Sequence, residues 1–130
     1  MILDTNFLID LIRGEKDAVD LKEKLAQRKE TCRASSITLF ELWTGVTSSN
    51  RSQEEKARVI NASIELPLVN ISGQIARKAG EINGMLIKSG GQIDAMDTII
   101  AATALLEDDT LLTRNAKHFS RVKGLRIESY

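Results

Sequence analysis

The chain has 130 residues, 42% of them hydrophobic and 28% charged, a balance that supports one soluble globular domain and excludes a disordered chain. Lys and Arg total 18 and Asp and Glu total 18, so the formal net charge is zero. That argues against a nucleic-acid coat protein, which needs a large basic excess to displace counterions, and no apolar stretch approaches the ~20 residues of a membrane span.

Met1-Ile2-Leu3-Asp4 lacks the basic start and apolar core of a secretory signal, so none is expected. Ile2-Leu3 reads as a short strand leading into Asp4-Thr5-Asn6, residue types that favour helix N-caps. Phe7, Leu8, Leu11 and Ile12 then recur at helical spacing until Gly14. A second helix is predicted over Asp17 to Arg28. Thr31 to Ala34 reads as a strand; its Cys32 is the only cysteine, which fits a reducing cytoplasm. Ile37 to Val46 has helical length and is apolar nearly all round, so burial is expected, with Gly45 and Ser48-Ser49-Asn50 ending it. Gln53 to Ala62 is a charged helix, and Leu66 to Val69 a strand with Pro67 near its start or on an edge. Ser72 caps a long helix with Ile75, Ala79, Ile82 and Leu86 on one stripe, closing at Gly90-Gly91. Asp94 to Leu106 is a further helix, Thr110 to Thr113 a strand, Ala116 to Phe119 a helical turn and Leu125 to Ile127 a terminal strand. Such alternation implies an α/β domain over residues 1–130, with a central, mostly parallel sheet of about four to five strands flanked by helices.

Several chemistries are excluded. Gly73, Gly80 and Gly84 fit neither the dinucleotide-binding pattern nor a phosphate loop, and no nucleophile elbow is present. With Cys32 and His118 the only residues of their types, zinc sites built from several Cys or His ligands are ruled out; any metal is expected on oxygen.

What stands out is a set of carboxylates at element boundaries. Asp4 follows an apolar strand, at the edge where ligands gather in open α/β sheets, although Asp4 or Thr5 could equally cap the next helix. Glu41 lies in an otherwise apolar helix, where a buried carboxylate must be paired, protonated or bound to a cation; the spacing Thr38-x-x-Glu41 also fits a capping box. Asp94 and Asp97 share one helix face, with a cap plus a first-turn acid as the plainer account. Asn115 follows a strand and could be a turn residue. In a parallel sheet these groups would meet at one edge, where converging carboxylates call for a divalent cation. Hard oxygen donors suit Mg²⁺ or Mn²⁺, and the chemistry supported is phosphodiester hydrolysis by a metal-activated water.

At this point the sequence resembles the PIN-domain ribonucleases. Ile2-Leu3-Asp4-Thr5-Asn6 and Ile37-Thr38-Leu39-Phe40-Glu41-Leu42 with Gly45 look like the opening half of that domain. Asp97-Thr98-Ile99-Ile100-Ala101-Ala102-Thr103-Ala104 and Leu111-Leu112-Thr113-Arg114-Asn115 with His118-Phe119 look like its second half. The blocks stand in the right order from Asp4 to the C-terminus, and the chain length suits the VapC toxins of toxin–antitoxin pairs. The resemblance implies an Mg²⁺- or Mn²⁺-dependent endoribonuclease with Asp4, Glu41 and Asp97 as metal ligands, leaving 5′-phosphate and 3′-hydroxyl ends. Asn115 falls where many members carry a fourth Asp and would assist catalysis without charge. Asp94 would add a carboxylate through water or merely cap its helix. Thr5, Asn6 and Thr113 would orient the carboxylates. Also implied are a homodimer and a VapB-type antitoxin covering the active site, seated on the apolar helices near Leu8 and Ile12 and around Trp43; a lone Trp on an apolar helix is also an ordinary core residue.

For an RNA substrate the candidates are Arg114, Lys117, Arg121 and Lys123. They belong to a strip, Arg114 to Ile127, that also holds His118 and Arg126 and no acid. A solvated surface balanced by Glu107, Asp108 and Asp109 would explain the same run. Aromatic residues, at 4%, are too few for a base-stacking platform, so recognition is expected to rest on shape and phosphate contacts. Two other readings compete. A silent PIN-like module that only binds a protein is suggested by the missing fourth acid. A phosphoryl-transfer receiver domain fits poorly, because Asp4 has no acidic neighbour and Arg114-Asn115 stands where a Lys-Pro pair belongs.

Overall fold

Five strands of two residues each organise the chain in the computed structural model, which describes Met1–Tyr130. They are β1 (Ile2–Leu3), β2 (Ala34–Ser35), β3 (Leu68–Val69), β4 (Leu111–Leu112) and β5 (Ile127–Glu128). Around them lie seven helices: α1 (Thr5–Arg13), α2 (Lys16–Gln27), α3 (Ser36–Ser48), α4 (Gln53–Ile64), α5 (Gly73–Ser89), α6 (Ala95–Leu106) and α7 (Ala116–Phe119). Every strand pair is parallel, β1-β4-β5 forming one sheet and β2-β3 another. A parallel bridge between Ile2 and Arg33 joins the two. Leu3 N–H donates to the Arg33 carbonyl at 2.8 Å, and Arg33 N–H to the Met1 carbonyl at 2.9 Å.

The spatial order is therefore β3-β2-β1-β4-β5. The chain adds strands outward on one side of β1, then crosses to start the other side at β4. Between β1 and β4 the order reverses, and this is the point where parallel sheets usually place a ligand crevice.

Strand alternation sorts the core into two layers. Ile2 and Leu111 point to one face, where they pack with Ile75, Ala79, Ile82 and Leu86 of α5 and with Ile100, Ala101 and Ala104 of α6. Leu3 and Leu112 point to the other, against Phe7 and Leu8 of α1, Leu25 of α2, Leu42 and Val46 of α3 and Val59 of α4. Phe7 and Phe119, both almost fully buried, anchor opposite faces; burying a side chain of this size contributes about 1.5–3 kcal/mol. The α1 helix stops at Gly14, whose φ of 76° lets its N–H return to the Asp10 and Leu11 carbonyls; α5 ends the same way at Gly90, with φ 70°.

Three local expectations are corrected. The predicted strands are longer than the observed ones: only Ala34 of Thr31–Ala34 lies in a strand, and the last strand is Ile127–Glu128 instead of Leu125–Ile127. Ladder pairing sets these bounds, and residue preference alone does not register it. Gly45 does not end α3, which runs on to Ser48. Nor is α3 buried all round. Thr38, Leu42 and Val46 are inside, but Phe40 is 53% and Trp43 43% exposed. Neighbouring elements cover one side of the helix, and its apolar girth exceeds that side. No helix is long and apolar enough to cross a membrane.

Candidate active site

The residues that leave β1 and β4 come first. Asp4 stands at the N-cap position of α1 but its side chain does not make the capping bond to that helix. Its Oδ2 instead accepts a 2.7 Å hydrogen bond from Thr113 Oγ1, across the point where the strand order reverses. Thr113 Oγ1 also accepts from the Asn115 N–H at 2.9 Å, so one buried hydroxyl fixes both the carboxylate and the turn beyond β4. Asp4 is 2% exposed. Burial pushes its carboxyl above the ordinary value, offset in part by Thr113 and by groups of Thr5 and Asn6 beside it.

Glu41 reaches the same place from α3. The helix is capped by Ser35, whose Oγ accepts from the Ile37 N–H at 3.4 Å, so Glu41 lies well inside it and the Thr38–Glu41 capping box does not form. Thr5 Oγ1 donates to Glu41 Oε2 and lies 3.2 Å from Thr38 Oγ1. Burial raises the Glu41 carboxyl, Thr5 opposes this, and the charges of Asp97, Asp4 and Asp94 raise it further.

Asp97 enters from the first turn of α6. Burial raises its carboxyl too, with Asp4 adding to the effect and His118 acting against it. His118 Nε2 lies 2.9 Å from Asp97 Oδ2 and is that carboxyl's partner. Asp94 is exposed and caps α6, its Oδ1 accepting from the Met96 N–H at 2.8 Å. Asn115 is exposed at the N-cap position of α7 and gives that helix no side-chain cap.

Three carboxylates thus share one electrostatic neighbourhood, each made harder to ionise by burial and two of them visibly by the others' charge. No three acidic, histidine or cysteine side chains converge closely enough to hold an ion as they stand. Glu41 is turned to Thr5 and Asp97 to His118, as repelling carboxylates would turn. The donor set nevertheless fits a hard divalent cation, which would relieve the repulsion and can keep waters at positions the protein does not fill.

The basic strip divides. Arg114 Nη1 pairs with the buried Asp10 at 2.7 Å, and Arg126 pairs with Asp108 at 3.0 Å. Arg121 donates to the Gly91 and Gln92 carbonyls at 3.5 and 3.3 Å, bracing the segment before α6. Lys117 and Lys123 are exposed and form no ion pair.

Two relationships escaped the reading of the sequence. One is His118 beside Asp97. The other joins Asp10 to Tyr130, whose Oη donates to Asp10 Oδ2 at 2.9 Å while its ring stands edge-on to Phe7 with centroids 5.1 Å apart. Asp10 carried a signal, a charge among the apolar residues of α1; nothing in the sequence pointed to its partners.

The PIN domain family profile matches residues 1–125. The chain belongs to the PIN-domain family. Among its relatives, Ribonuclease VapC2 of Rickettsia felis is 30% identical over 129 residues, 99% of this chain and 96% of the relative. The tRNA(fMet)-specific endonuclease VapC of Shigella flexneri is 29% identical over the same shares of both chains. Solved PIN-domain neighbours include VapBC2 of Rickettsia felis bound to a DNA fragment from their promoter, with TM-score 0.87, 29% identity and 99% and 97% of the two chains covered. VapBC-1 of nontypeable Haemophilus influenzae follows at TM-score 0.82 and 27% identity, covering 98% and 96%.

Proposed function

We propose that this PIN domain is a divalent-metal-dependent endoribonuclease and the toxin of a VapBC-type pair, with Mg²⁺ or Mn²⁺ as the working ion. The observation that carries the proposal is the shared neighbourhood of Asp4, Glu41 and Asp97 by the carboxyl ends of β1 and β4, with their carboxyls raised by burial and the latter two also by the charge of neighbouring carboxylates. Asp4, Glu41 and Asp97 would hold the ion. A divalent cation there supplies an activated water and neutralises charge on the phosphate under attack.

The chain's own residues do the rest. Thr113 locks the direction of Asp4, and Thr5 locks Glu41, so the carboxylates present fixed oxygens to the crevice. Asn115, exposed at its rim, offers an amide to the substrate or to water. Lys117 and Lys123, free of ion pairs, offer charge to RNA phosphates, with Arg114 half-exposed beside the site and held by Asp10. A VapB-type antitoxin is the proposed partner, since relatives of this fold were solved as VapBC complexes. The exposed Phe40 and Trp43 support self-association into a homodimer, because apolar side chains left on a surface favour being covered.

The test is cleavage of RNA by the wild type and Asp4→Asn, with Mg²⁺ or Mn²⁺ and with a chelator added. Cleavage by the wild type alone, abolished by the chelator, is expected. Equal cleavage by both proteins would overturn the site. Absence of cleavage together with absence of metal binding at millimolar concentration would favour a silent module that only binds a protein.

A further inference from the structure

We infer that Asp10 and Tyr130 are positioning residues that aim Arg114 at an RNA phosphate next to the one under attack, so that Arg114 holds the strand without joining the chemistry. The inference rests on the endoribonuclease reading above and adds to it how the strand is gripped.

Asp10 is the residue to explain. It is 3% exposed on α1, a costly place for a carboxylate unless it is paired and hydrogen-bonded. Two donors from distant segments meet on one of its oxygens: Arg114 Nη1 at 2.7 Å and Tyr130 Oη at 2.9 Å both reach Oδ2. Asp10 therefore ties together α1, the turn after β4 and the segment after β5. The Tyr130 ring is steadied in turn by the buried Phe7, edge-on at 5.1 Å. Burial, and after it Asp10, raises the Tyr130 hydroxyl above its ordinary value, which keeps it a donor to the carboxylate.

This clamp borders the acidic site. Arg114 follows Thr113, whose hydroxyl holds Asp4, and the charges of Arg114 and Asp4 both act on Tyr130. Yet the carboxylate that Arg114 pairs with is Asp10, not Asp4, Glu41 or Asp97. Its energy is therefore available for holding substrate, apart from the reacting centre.

Arg114 is built to hold an anion. Its guanidinium carries five N–H donors, Asp10 occupies one nitrogen, and the side chain is 51% exposed. The remaining donors form a planar fork that suits a phosphate. The rotamer freedom that a loose Arg would lose on binding is already lost in the folded protein. Arg114 and Tyr130 also line a cleft of about 250 Å³ together with Glu15 and Asp17. Those acids disfavour a phosphate inside the cleft and leave the exposed Arg114 edge for it.

Anisotropy of a fluorescent single-stranded RNA of mixed sequence, in chelator and across a salt series, measures this grip apart from cleavage. Arg114→Gln is expected to weaken binding about tenfold and to reduce the salt slope by about 0.7, the value of one single-strand phosphate contact. In cleavage assays its KM should rise about tenfold with kcat little changed. Asp10→Ala removes a negative charge, so charge alone predicts tighter RNA binding, whereas a lost clamp predicts binding about threefold weaker. Asp10→Asn keeps an acceptor for both donors and should retain most of the grip. Tyr130→Phe alters no charge and should weaken binding by less than Asp10→Ala; thermal melts establish which variants fold. Tighter binding by Asp10→Ala, an unchanged salt slope in Arg114→Gln, or a fall in its kcat at constant KM overturns the inference. Should Asp10→Ala not fold, wild-type RNA affinity in Tyr130→Phe overturns it. Metal-dependent cleavage by the wild type in any of those cases leaves the endoribonuclease reading standing. RNA binding with the expected slope change but no cleavage sinks that reading and keeps the clamp. A wild type that neither binds nor cleaves RNA sinks both.

Discussion

Thr113, one residue beyond β4, donates its hydroxyl to Asp4, one residue beyond β1, over 2.7 Å. The pairing follows from register. Leu3 lies opposite Leu112 in the parallel ladder, and the Asp4 N–H still bonds the Leu112 carbonyl at 3.0 Å, so the next residues face each other as the ladder ends. Both are buried, and both sit where the strand order reverses.

Replacing Thr113 by Val keeps the shape and removes the donor. The buried Asp4 carboxylate then loses its one side-chain partner across the crevice, at a cost of about 1–3 kcal/mol. RNA cleavage is expected to fall about 10–100-fold, the range for a residue that orients a metal ligand. Thr113→Ser retains the hydroxyl and most of both properties. Urea denaturation and cleavage rates decide it; identical behaviour of the Val and Ser variants would count against the role.

Asp4→Asn should abolish cleavage yet make the metal-free protein more heat-stable near neutral pH. The Asp4 carboxyl is raised in the folded state, which therefore holds a proton more tightly than the unfolded chain. Above that raised value the ionised group opposes folding in full, and the opposition fades as pH falls toward the ordinary value of 3.8. The Asn variant's advantage in Tm is accordingly greatest at about pH 7 and shrinks toward about pH 4. Added Mn²⁺ should reverse the ranking by stabilising only the wild type. An Asn variant less stable than wild type without metal would contradict the argument.

Asp109 runs the opposite way. Burial alone would raise its carboxyl, but bonds from the N-terminal ammonium at 2.7 Å, the Thr110 N–H at 2.8 Å and Arg33 at 3.3 Å hold it below the ordinary 3.8. Its contribution to stability is complete above the unfolded value and is lost as pH falls through the depressed one. Asp109→Asn should lower Tm at about pH 6, and the gap should close as pH falls below the ordinary value of 3.8. A gap that stayed constant with pH would exclude the ion pair as its source.

Tyr130→Phe isolates the hydrogen bond to Asp10, because the edge-on contact with Phe7 survives the change. A bond to a charged acceptor contributes about 1.5–3 kcal/mol. Denaturant unfolding should show a loss within that range. A Tm equal to wild type would mean that Arg114 satisfies Asp10 alone.

The α/β class, the seven helical segments and the parallel pairing were legible because strands covered on both faces read as apolar runs and the intervening helices carry their stripes and caps plainly. Ile75, Ala79, Ile82 and Leu86 line α5 as their spacing requires, and Ser72 caps it. Asp4, Glu41 and Asp97 stood out because each is a charge where burial demands a reason. Thr5 and Thr113 entered as their supports only through the family resemblance, and His118 beside Asp97 did not enter at all. Thr113 and Asp4 are 109 residues apart and His118 and Asp97 are 21 apart, and no local spacing encodes such meetings. The exposure of Phe40 and Trp43 was equally hidden, since hydrophobicity shows that a helix can be buried and packing decides which side is.

A net charge of zero and an ordinary composition argued against a coat protein, and the order of the acids pointed to where chemistry could sit. Those are properties of residue type and local pattern, and they survive without coordinates. Which hydroxyl holds which carboxylate, which basic side chains are already paired, and which imidazole stands beside Asp97 were decided only when β1 and β4 paired. Contacts between distant segments are fixed by register and packing, and neither is written in any single stretch of the chain.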